Sequence, residues 1–291
     1  MDARRLKRLL FHIETIYLFT RSDYKTILLP VTVFSVSASS TFQARALART
    51  VVWTWLHLLQ ANVSNQTFSG HEDIVNKPWR PLPSGRVTVH QARCFRFFLM
   101  ALCLALSSCL GPKIVIASVA LIAVEILHDE VLMSRHPLLK NLCNVGGYLS
   151  FETGATLSMT PNQELDSTAY TALICSALLI LTTISAQDFA DVEGDKLSRR
   201  RTIPIIAPNG SRWYMLTALI FWSLALARVW GLDLYSGCGF LALGTLVGLR
   251  YFWFRDPRSD RSSYTLYNIW LATAHILPLN THLHLLSHQR L

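Results

Sequence analysis

Charged residues are scarce in this sequence. Asp, Glu, Lys and Arg together make up 15% of its 291 residues, whereas soluble globular chains carry about 25%. Hydrophobic residues make up 51%, and the mean hydropathy is +0.32. So much apolar surface excludes intrinsic disorder, and so little charge argues against an ordinary soluble domain.

Closely spaced cysteine pairs are also missing. None of the six cysteines stands in a C-x-x-C pair, and most lie within apolar runs, at Cys94, Cys103, Cys109, Cys143, Cys175 and Cys238. This usage is typical of small buried side chains with free thiols. It argues against the disulfide framework of a small secreted domain.

Apolar segments fill most of the chain. A membrane helix needs about 20 largely apolar residues. The candidates are nine segments, at 26–40, 45–61, 95–111, 113–130, 138–158, 168–187, 213–230, 235–253 and 264–286. Runs such as TALICSALLILTTISA are too uniformly apolar for the alternating strands of a membrane barrel. We therefore predict an all-α, multi-span integral membrane bundle of about nine helices.

The net charge of +9 lies mainly in the short loops between these segments. If all nine segments cross a membrane, 22 of the 27 Lys and Arg residues fall on one side. This asymmetry favours a bilayer over a nucleic-acid partner and marks the basic side as cytosolic. We expect a multi-pass protein of the endoplasmic reticulum membrane.

Residues 1–25 form a basic, amphipathic segment, with Arg4, Arg5, Lys7 and Arg8 placed among Leu and Ile. The segment lacks the apolar core and cleavage site of a secretory signal. We interpret it as an interfacial helix on the membrane surface. The transmembrane domain would follow at 26–291.

Oxygen-bearing side chains are regularly spaced after the second predicted span. Asn65, Ser69 and Asp73 stand at positions i, i+4 and i+8, and Glu72 lies one residue off that line. On a helix this spacing puts the oxygen donors on one face. This loop, 62–93, is one of two long polar loops in the sequence.

The second long loop, 188–212, follows the sixth predicted span and so lies on the same side. Asp188, Asp191 and Asp195 are spaced i, i+3 and i+7, again on one helical face. Neighbouring carboxylates repel each other, and a hard cation removes that conflict. Oxygen ligands without His or Cys at ligand spacing favour magnesium over zinc.

Basic residues follow each acidic stripe within a few positions: Lys77, Arg80 and Arg86 in one loop, and Lys196, Arg199, Arg200 and Arg201 in the other. A magnesium diphosphate requires this combination of acids and bases. The alternative is that the bases are membrane anchors and the acids their solvated partners. The same arrangement in two loops at matching positions favours the diphosphate site.

These motifs resemble those of the UbiA superfamily of intramembrane prenyltransferases. The matching patterns are NKPWRPLPSGR at 76–86, after the Asn and Asp of the first loop, and D-x-x-D-x-x-G-D-K at 188–196, before RRTIP at 200–204. The resemblance extends over nearly the whole chain. It implies a helical bundle around a central cavity that the two loops cap, and magnesium-dependent ionisation of an isoprenoid diphosphate.

The resemblance also assigns roles to individual residues. Asn65 and Asp73 would bind one magnesium ion, and Asp191 and Asp195 the other, with Asp188 in support. The residues expected to contact the diphosphate are Lys77, Arg80, Lys196 and Arg200. The acids expected to carry the reaction are Asp73, Asp191, Asp195 and Glu72.

Two residues depart from the family pattern. Ser69 stands where the family usually has Asp, and Glu72 adds an acid before Asp73. This combination resembles the fungal branch of membrane-bound class I terpene cyclases, which implies conversion of farnesyl diphosphate to a cyclic terpene. A prenyltransferase that joins the chain to an aromatic or other acceptor is the alternative. A transporter fits less well, because its coupling charges should lie near the midplane.

Two glutamates, Glu125 and Glu152, fall within predicted spans, where an ionisable side chain is costly and usually faces a cavity. For Glu152 two interpretations stay open. It stabilises a carbocation or polarises an acceptor, or it is a hydrogen-bonded structural carboxyl.

Overall fold

The computed structural model describes residues 2–283, and within this range it contains helices and turns but no strand. The helices are α1 Ala3–Thr20, α2 Leu29–Ser37, α3 Ala44–Phe68, α4 Gly70–Asn76, α5 Val89–Leu110, α6 Pro112–Glu125, α7 Pro137–Met159, α8 Ser167–Thr183, α9 Val192–Leu197, α10 Ile203–Ile206, α11 Gly210–Val229, α12 Leu234–Trp253, α13 Pro257–Ile276 and α14 Leu279–Leu283. The predicted all-α class is confirmed.

Local sequence signals set many of the helix starts. Proline occupies the first turn of α6, α7 and α13, where its missing N–H costs no hydrogen bond. Asp166 accepts from the backbone N–H of Ala169 at the start of α8, and Thr88 and Gln91 form a capping box at the start of α5. These boundaries are therefore encoded within a few residues of each end.

Each of the nine predicted segments corresponds to a helix in the structure, although the last segment continues past residue 283, outside the described residues. By length and apolarity alone, two helices of the described part qualify as membrane spans: Val89–Leu110, and Ser167–Asp188, which is α8 with its 3₁₀ extension. The all-helical architecture thus agrees with the sequence analysis. The number of membrane-crossing helices stays a prediction.

Helix α7 occupies the middle of the bundle and packs against α2, α3, α6 and α8. Its crossing with α3 is close because Gly154 has no side chain: a Cβ there would lie 2.2 Å from the Trp53 ring. Trp53 is fully buried and meets Phe151 edge to face, with ring centroids 6.4 Å apart. This contact fixes α3 and α7 relative to each other, and both helices carry polar residues at one end of the bundle.

At that end the two short helices α4 and α9 pack against each other. Two π-helical turns, Tyr24–Leu28 before α2 and Ile126–Glu130 after α6, both pack against α3, the helix that leads into α4. Such turns often occur at functional sites because they re-aim side chains. Here they bring Asp23 and Asp129 to the wall of a cavity beneath α4 and α9.

Candidate functional site

The first motif spans the end of α3 and the start of α4. The helix axis breaks at Ser69, but the backbone N–H of Ser69 still bonds the Asn65 carbonyl and that of Asp73 bonds the Ser69 carbonyl, both at 3.0 Å. The i, i+4 register is therefore kept across the break. As a result, the Ser69 hydroxyl donates to Asp73 Oδ2 at 2.8 Å.

Asp73 is almost fully buried, with 1% of its surface exposed, and the Arg80 guanidinium compensates its charge. Arg80 Nη1 lies 2.8 Å from Oδ1 and 2.9 Å from Oδ2 of Asp73. The two residues are seven positions apart, so the turn after α4 brings Arg80 back to Asp73. Arg80, predicted to contact diphosphate, thus lies against a predicted metal ligand.

The second motif departs from the single helix that its spacing predicts. Asp188 ends a 3₁₀ turn, Asp191 precedes α9, and Asp195 lies inside α9. The Lys140 ammonium, on the first turn of α7, lies 2.5 Å from Asp188 Oδ1. Lys77 Nζ, from the first motif, lies 3.7 Å from Asp191 Oδ2.

Arg200 connects the two motifs. Its Nη1 lies 2.6 Å from Glu72 Oε2 and 3.6 Å from Asp195 Oδ1, so one guanidinium bridges α4 and α9. Burial raises the pKa of Glu72, and the Arg200 charge opposes that rise. Glu72 is one of the two residues that depart from the family pattern. Through Arg200 it links the first motif to the second.

The contact between α4 and α9 is closest at Gly194. A Cβ on Gly194 would lie 2.2 Å from Asn76 Nδ2, which donates to the Asp191 carbonyl at 3.3 Å. A larger residue must displace the Asn76 amide and move Asp191 relative to Lys77. Gly194 thus sets the spacing of the two motifs.

We expect Gly194→Ala to lower turnover about tenfold, because small displacements of reacting groups are costly. Gly70→Ala is the matched control, since a Cβ at that α4 position meets nothing within 4 Å. Initial rates at saturating substrate, with equal amounts of folded protein, make the comparison. Equal rates for the two variants would mean that the α4–α9 spacing does not limit catalysis.

Two adjacent cavities lie next to the motifs and share part of their lining. The first, which we call the vestibule, has a volume of about 420 Å³ and is lined by Lys25, Lys77, Trp79, Asp191 and Arg261 among others. The second, the chamber, has a volume of about 210 Å³ and reaches Leu58, Leu121 and Phe151. Asp23, Thr26, Gln187 and Tyr264 line both. A charged cavity thus adjoins a more apolar one.

The donor atoms of the motifs fit a hard divalent cation. The ligands available are amide and carboxylate oxygens, and the buried Asp195 Oδ2 has no hydrogen-bond partner among the described residues. Over residues 2–283, no three or more Asp, Glu, His or Cys side chains are gathered around one point. Each acid of the motifs is instead held by a basic side chain.

The predicted diphosphate contacts lie in different settings. Lys77 lines the vestibule, Arg200 bridges the motifs, and Arg80 is buried against Asp73. Lys196 is exposed on α9. The structure therefore brings the first three to the motifs, while Lys196 lies on the outer surface of α9.

Several site residues escaped the sequence analysis. Lys140 was outside both motifs, yet it pairs with Asp188. Asp129 was outside both motifs, yet it accepts from Asn65 Nδ2 at 2.9 Å and lies 2.7 Å from His128 Nδ1. The one available signal was a cluster of His, Asp and Glu at the end of a predicted span.

Fold and site together define an α-helical bundle that holds two acid-and-base motifs over a partly apolar cavity. The chain belongs to the UbiA prenyltransferase family, whose sequence profile matches residues 27–272. Members of this family are integral membrane proteins. The family predicted from the motifs is confirmed.

Curated relatives include both cyclases and transferases. The chain is 28% identical to the fumagillin beta-trans-bergamotene synthase of Aspergillus fumigatus, over 92% of each chain. It is 29% identical to a diterpene cyclase of Hericium erinaceus, over 86% of this chain and 82% of that one. A polyprenyl transferase of the same fungus is 25% identical, over 88% and 90%. The predicted resemblance to fungal terpene cyclases is confirmed, and the two activities both occur among the relatives.

Solved structures share the fold. A UbiA homolog from Archaeoglobus fulgidus, solved bound to GPP and Mg²⁺, superposes with a TM-score of 0.66 at 13% identity. The alignment covers 91% of this chain and 99% of that one. Similarity at this level establishes the common fold of the two chains.

Proposed function

We propose that this protein is a membrane-bound terpene cyclase that ionises farnesyl diphosphate and cyclises the allylic cation, releasing diphosphate. The vestibule and the adjoining chamber carry the proposal, because they offer charge for the diphosphate and apolar walls for the chain. Family members act on prenyl diphosphates. To this family activity the proposal adds the length of the prenyl chain and its cyclisation.

Basic side chains of the vestibule bind the diphosphate in this mechanism. Lys77, Lys25 and Arg261 line its wall and neutralise the charge that grows on the leaving group. Asn65, Asp73, Asp188, Asp191 and Asp195 would hold magnesium. When bound, magnesium supplies Lewis-acid stabilisation of the departing diphosphate.

The chamber keeps water from the cation and shapes the chain. Leu58 and Leu121 form an apolar part of its wall, and Tyr148, Phe151 and Tyr264 present aromatic rings. Aromatic faces attract cations, most strongly where water is excluded. A chain enclosed by these side chains reacts with its own double bonds.

The contacts that Ser69 and Glu72 make with other motif residues support the cyclase over the transferase. Ser69 donates to Asp73, and Glu72 pairs with Arg200. Both residues that depart from the family pattern therefore have defined partners in a site built around them. A prenyltransferase remains the second candidate, supported by the polyprenyl transferase among the relatives.

Nine membrane-crossing helices are part of the proposal. Many large apolar side chains are exposed on the outside of the bundle, such as Phe98 on α5 and Phe221 on α11. Lipid would cover them. We place the protein in the endoplasmic reticulum membrane with α4 and α9 facing the cytosol.

Residues 1–25 form the proposed interfacial segment, ahead of a transmembrane domain at 26–291. The α1 residues from 3 to 14 are all exposed, with Phe11 and Glu14 contacting Arg86, and buried side chains begin with Thr15 and Phe19. Leu6, Leu9, Leu10 and Ile13 lie along one side of α1. This apolar stripe fits the surface layer of a bilayer.

The decisive experiment supplies purified protein in detergent with farnesyl diphosphate and Mg²⁺ but no acceptor. We expect cyclic hydrocarbon in the headspace and an equal amount of diphosphate in solution. A second reaction adds an aromatic acceptor. Prenylated acceptor with no hydrocarbon in either reaction would replace the cyclase by the transferase.

Ser69→Asp is expected either to leave hydrocarbon release unchanged or to lower it. The added carboxylate would face Asp73 Oδ2, where the Ser69 hydroxyl now donates at 2.8 Å, and like charges repel. Glu72→Ala is expected to lower release about tenfold or more, since Arg200 loses its 2.6 Å partner. The measurement is hydrocarbon release during a Mg²⁺ titration.

The exposed Glu193, on the same short helix as Asp195, supplies the control as Glu193→Gln. Tighter Mg²⁺ dependence and faster acceptor prenylation in Ser69→Asp, together with an unaffected Glu72→Ala, would favour the transferase.

A further inference from the structure

We propose that Glu125 contacts the prenyl chain inside the chamber and stabilises positive charge on it, and thereby determines which product forms. The proposal rests on the proposed function and extends it to a residue outside both motifs. It concerns the hydrocarbon part of the substrate rather than the diphosphate.

Glu125 is the last residue of α6, lines the chamber and is 9% exposed. Gln60 Nε2, from α3, donates to its Oε2 at 2.7 Å. Its Oε1 has no hydrogen-bond partner within residues 2–283. An unpaired buried oxygen costs free energy, so a ligand that carries positive charge would relieve that cost.

Glu125 lies at the depth in the cavity where the prenyl chain, rather than the diphosphate, would bind. Asp129, four residues later, bonds Asn65 of the first motif. Glu125 precedes the π-helical turn Ile126–Glu130 that contains Asp129, so it lies about one helical turn further from the motif. Leu121, another four residues back, lines the chamber as well. Glu125 therefore faces the middle of the chamber.

Positive charge moves along the chain as a cyclisation proceeds. A carboxyl oxygen in a water-poor chamber interacts with such charge far more strongly than it would in water. Its position then favours those cations whose charge lies beside Oε1. The product distribution, more than the ionisation rate, should report this interaction.

Glu152 offers a matched comparison. It is fully buried on α7, accepts from Ser176 Oγ at 2.7 Å and lies 3.5 Å from His275 Nε2. In the described part of the chain it lines neither the chamber nor the vestibule. Its Oε2, like Oε1 of Glu125, has no hydrogen-bond partner within residues 2–283. Because Glu152 lies away from both cavities, the structure favours its interpretation as a structural carboxyl.

The test compares Glu125→Gln, Glu125→Leu and Glu152→Gln with the parent protein. Hydrocarbons are resolved by gas chromatography with mass spectrometry, and diphosphate release is measured in parallel. We expect Glu125→Leu to keep diphosphate release within about threefold while the main product falls about tenfold relative to other products. Glu125→Gln should shift the ratio less, and Glu152→Gln should leave it unchanged.

Unchanged product ratios in Glu125→Leu would overturn the proposal. Loss of diphosphate release in both folded Glu125 variants would also overturn it, because Glu125 would then act in ionisation. Failure of the proposed function is seen separately, as a parent protein that forms no hydrocarbon.

Discussion

Replacing Asp191 or Asp195 by Asn is expected to lower turnover on the order of a hundredfold or more, because each change removes a negative oxygen that would hold the metal and diphosphate. Asn keeps the side-chain volume, which matters at Asp195, where 1% of the surface is exposed. Asp191 is partly exposed beside Lys77. Neither change removes packing, so the variants should fold.

The control for both is Glu193→Gln, a charge change between the two positions on the exposed side of α9. Diphosphate release is measured at matched protein concentration, and size-exclusion profiles confirm folding. Near-normal turnover in either Asp variant would mean that the second motif is structural.

Removal of divalent cations is expected to abolish turnover, and Mg²⁺ alone is expected to restore it. The motifs offer amide and carboxylate oxygens, the ligands that magnesium prefers. The protein is treated with EDTA, desalted exhaustively and assayed for diphosphate release over a Mg²⁺ titration. Turnover that persists after desalting would contradict a metal-dependent mechanism.

A binding measurement separates the metal site from the chemistry. Mg²⁺ with inorganic diphosphate should raise the melting temperature of the parent protein, since a ligand that binds only the folded state stabilises it. The rise should be smaller in Asp191→Asn. Equal rises in the two proteins would place the metal elsewhere.

Helix positions could be predicted from the sequence because their determinants are local. Apolar length, an initial proline or a capping Asp mark an end within a few residues, as at Asp166 of α8. The two motifs could be predicted for the same reason, since their spacing is short. The family could be recognised from these two motifs.

The partners of motif residues from distant parts of the chain could not be predicted. Lys140 and Asp188 are 48 residues apart, and Asn65 and Asp129 are 64 apart. Such pairs depend on how α3, α6, α7 and α8 pack, which no single segment encodes. The predicted helical face of the second motif also changed, because the chain turns sharply between Asp188 and Asp195.

Glu125 and Glu152 illustrate the same limit. Both are single acids in apolar helices, and the sequence analysis offered a role only for Glu152. Each has one oxygen without a hydrogen-bond partner within residues 2–283, but packing places Glu125 at the wall of the chamber and Glu152 beside Ser176 and His275, away from both cavities. The difference lies in neighbours that are distant in the chain.

The acid–base pairs of the site have a thermodynamic consequence. The pairs are Asp73–Arg80, Asp188–Lys140, Asp191–Lys77 and Glu72–Arg200–Asp195. A cation that binds alone must break the ion pair between an acid and its base. An anion that binds alone must break the same kind of pair to reach a base. In the proposed mechanism each freed group would gain a new partner when both ligands bind, so metal and diphosphate would bind with positive cooperativity. Because such coupling is reciprocal, departure of the diphosphate would weaken metal binding by the same factor, and the original pairs would re-form.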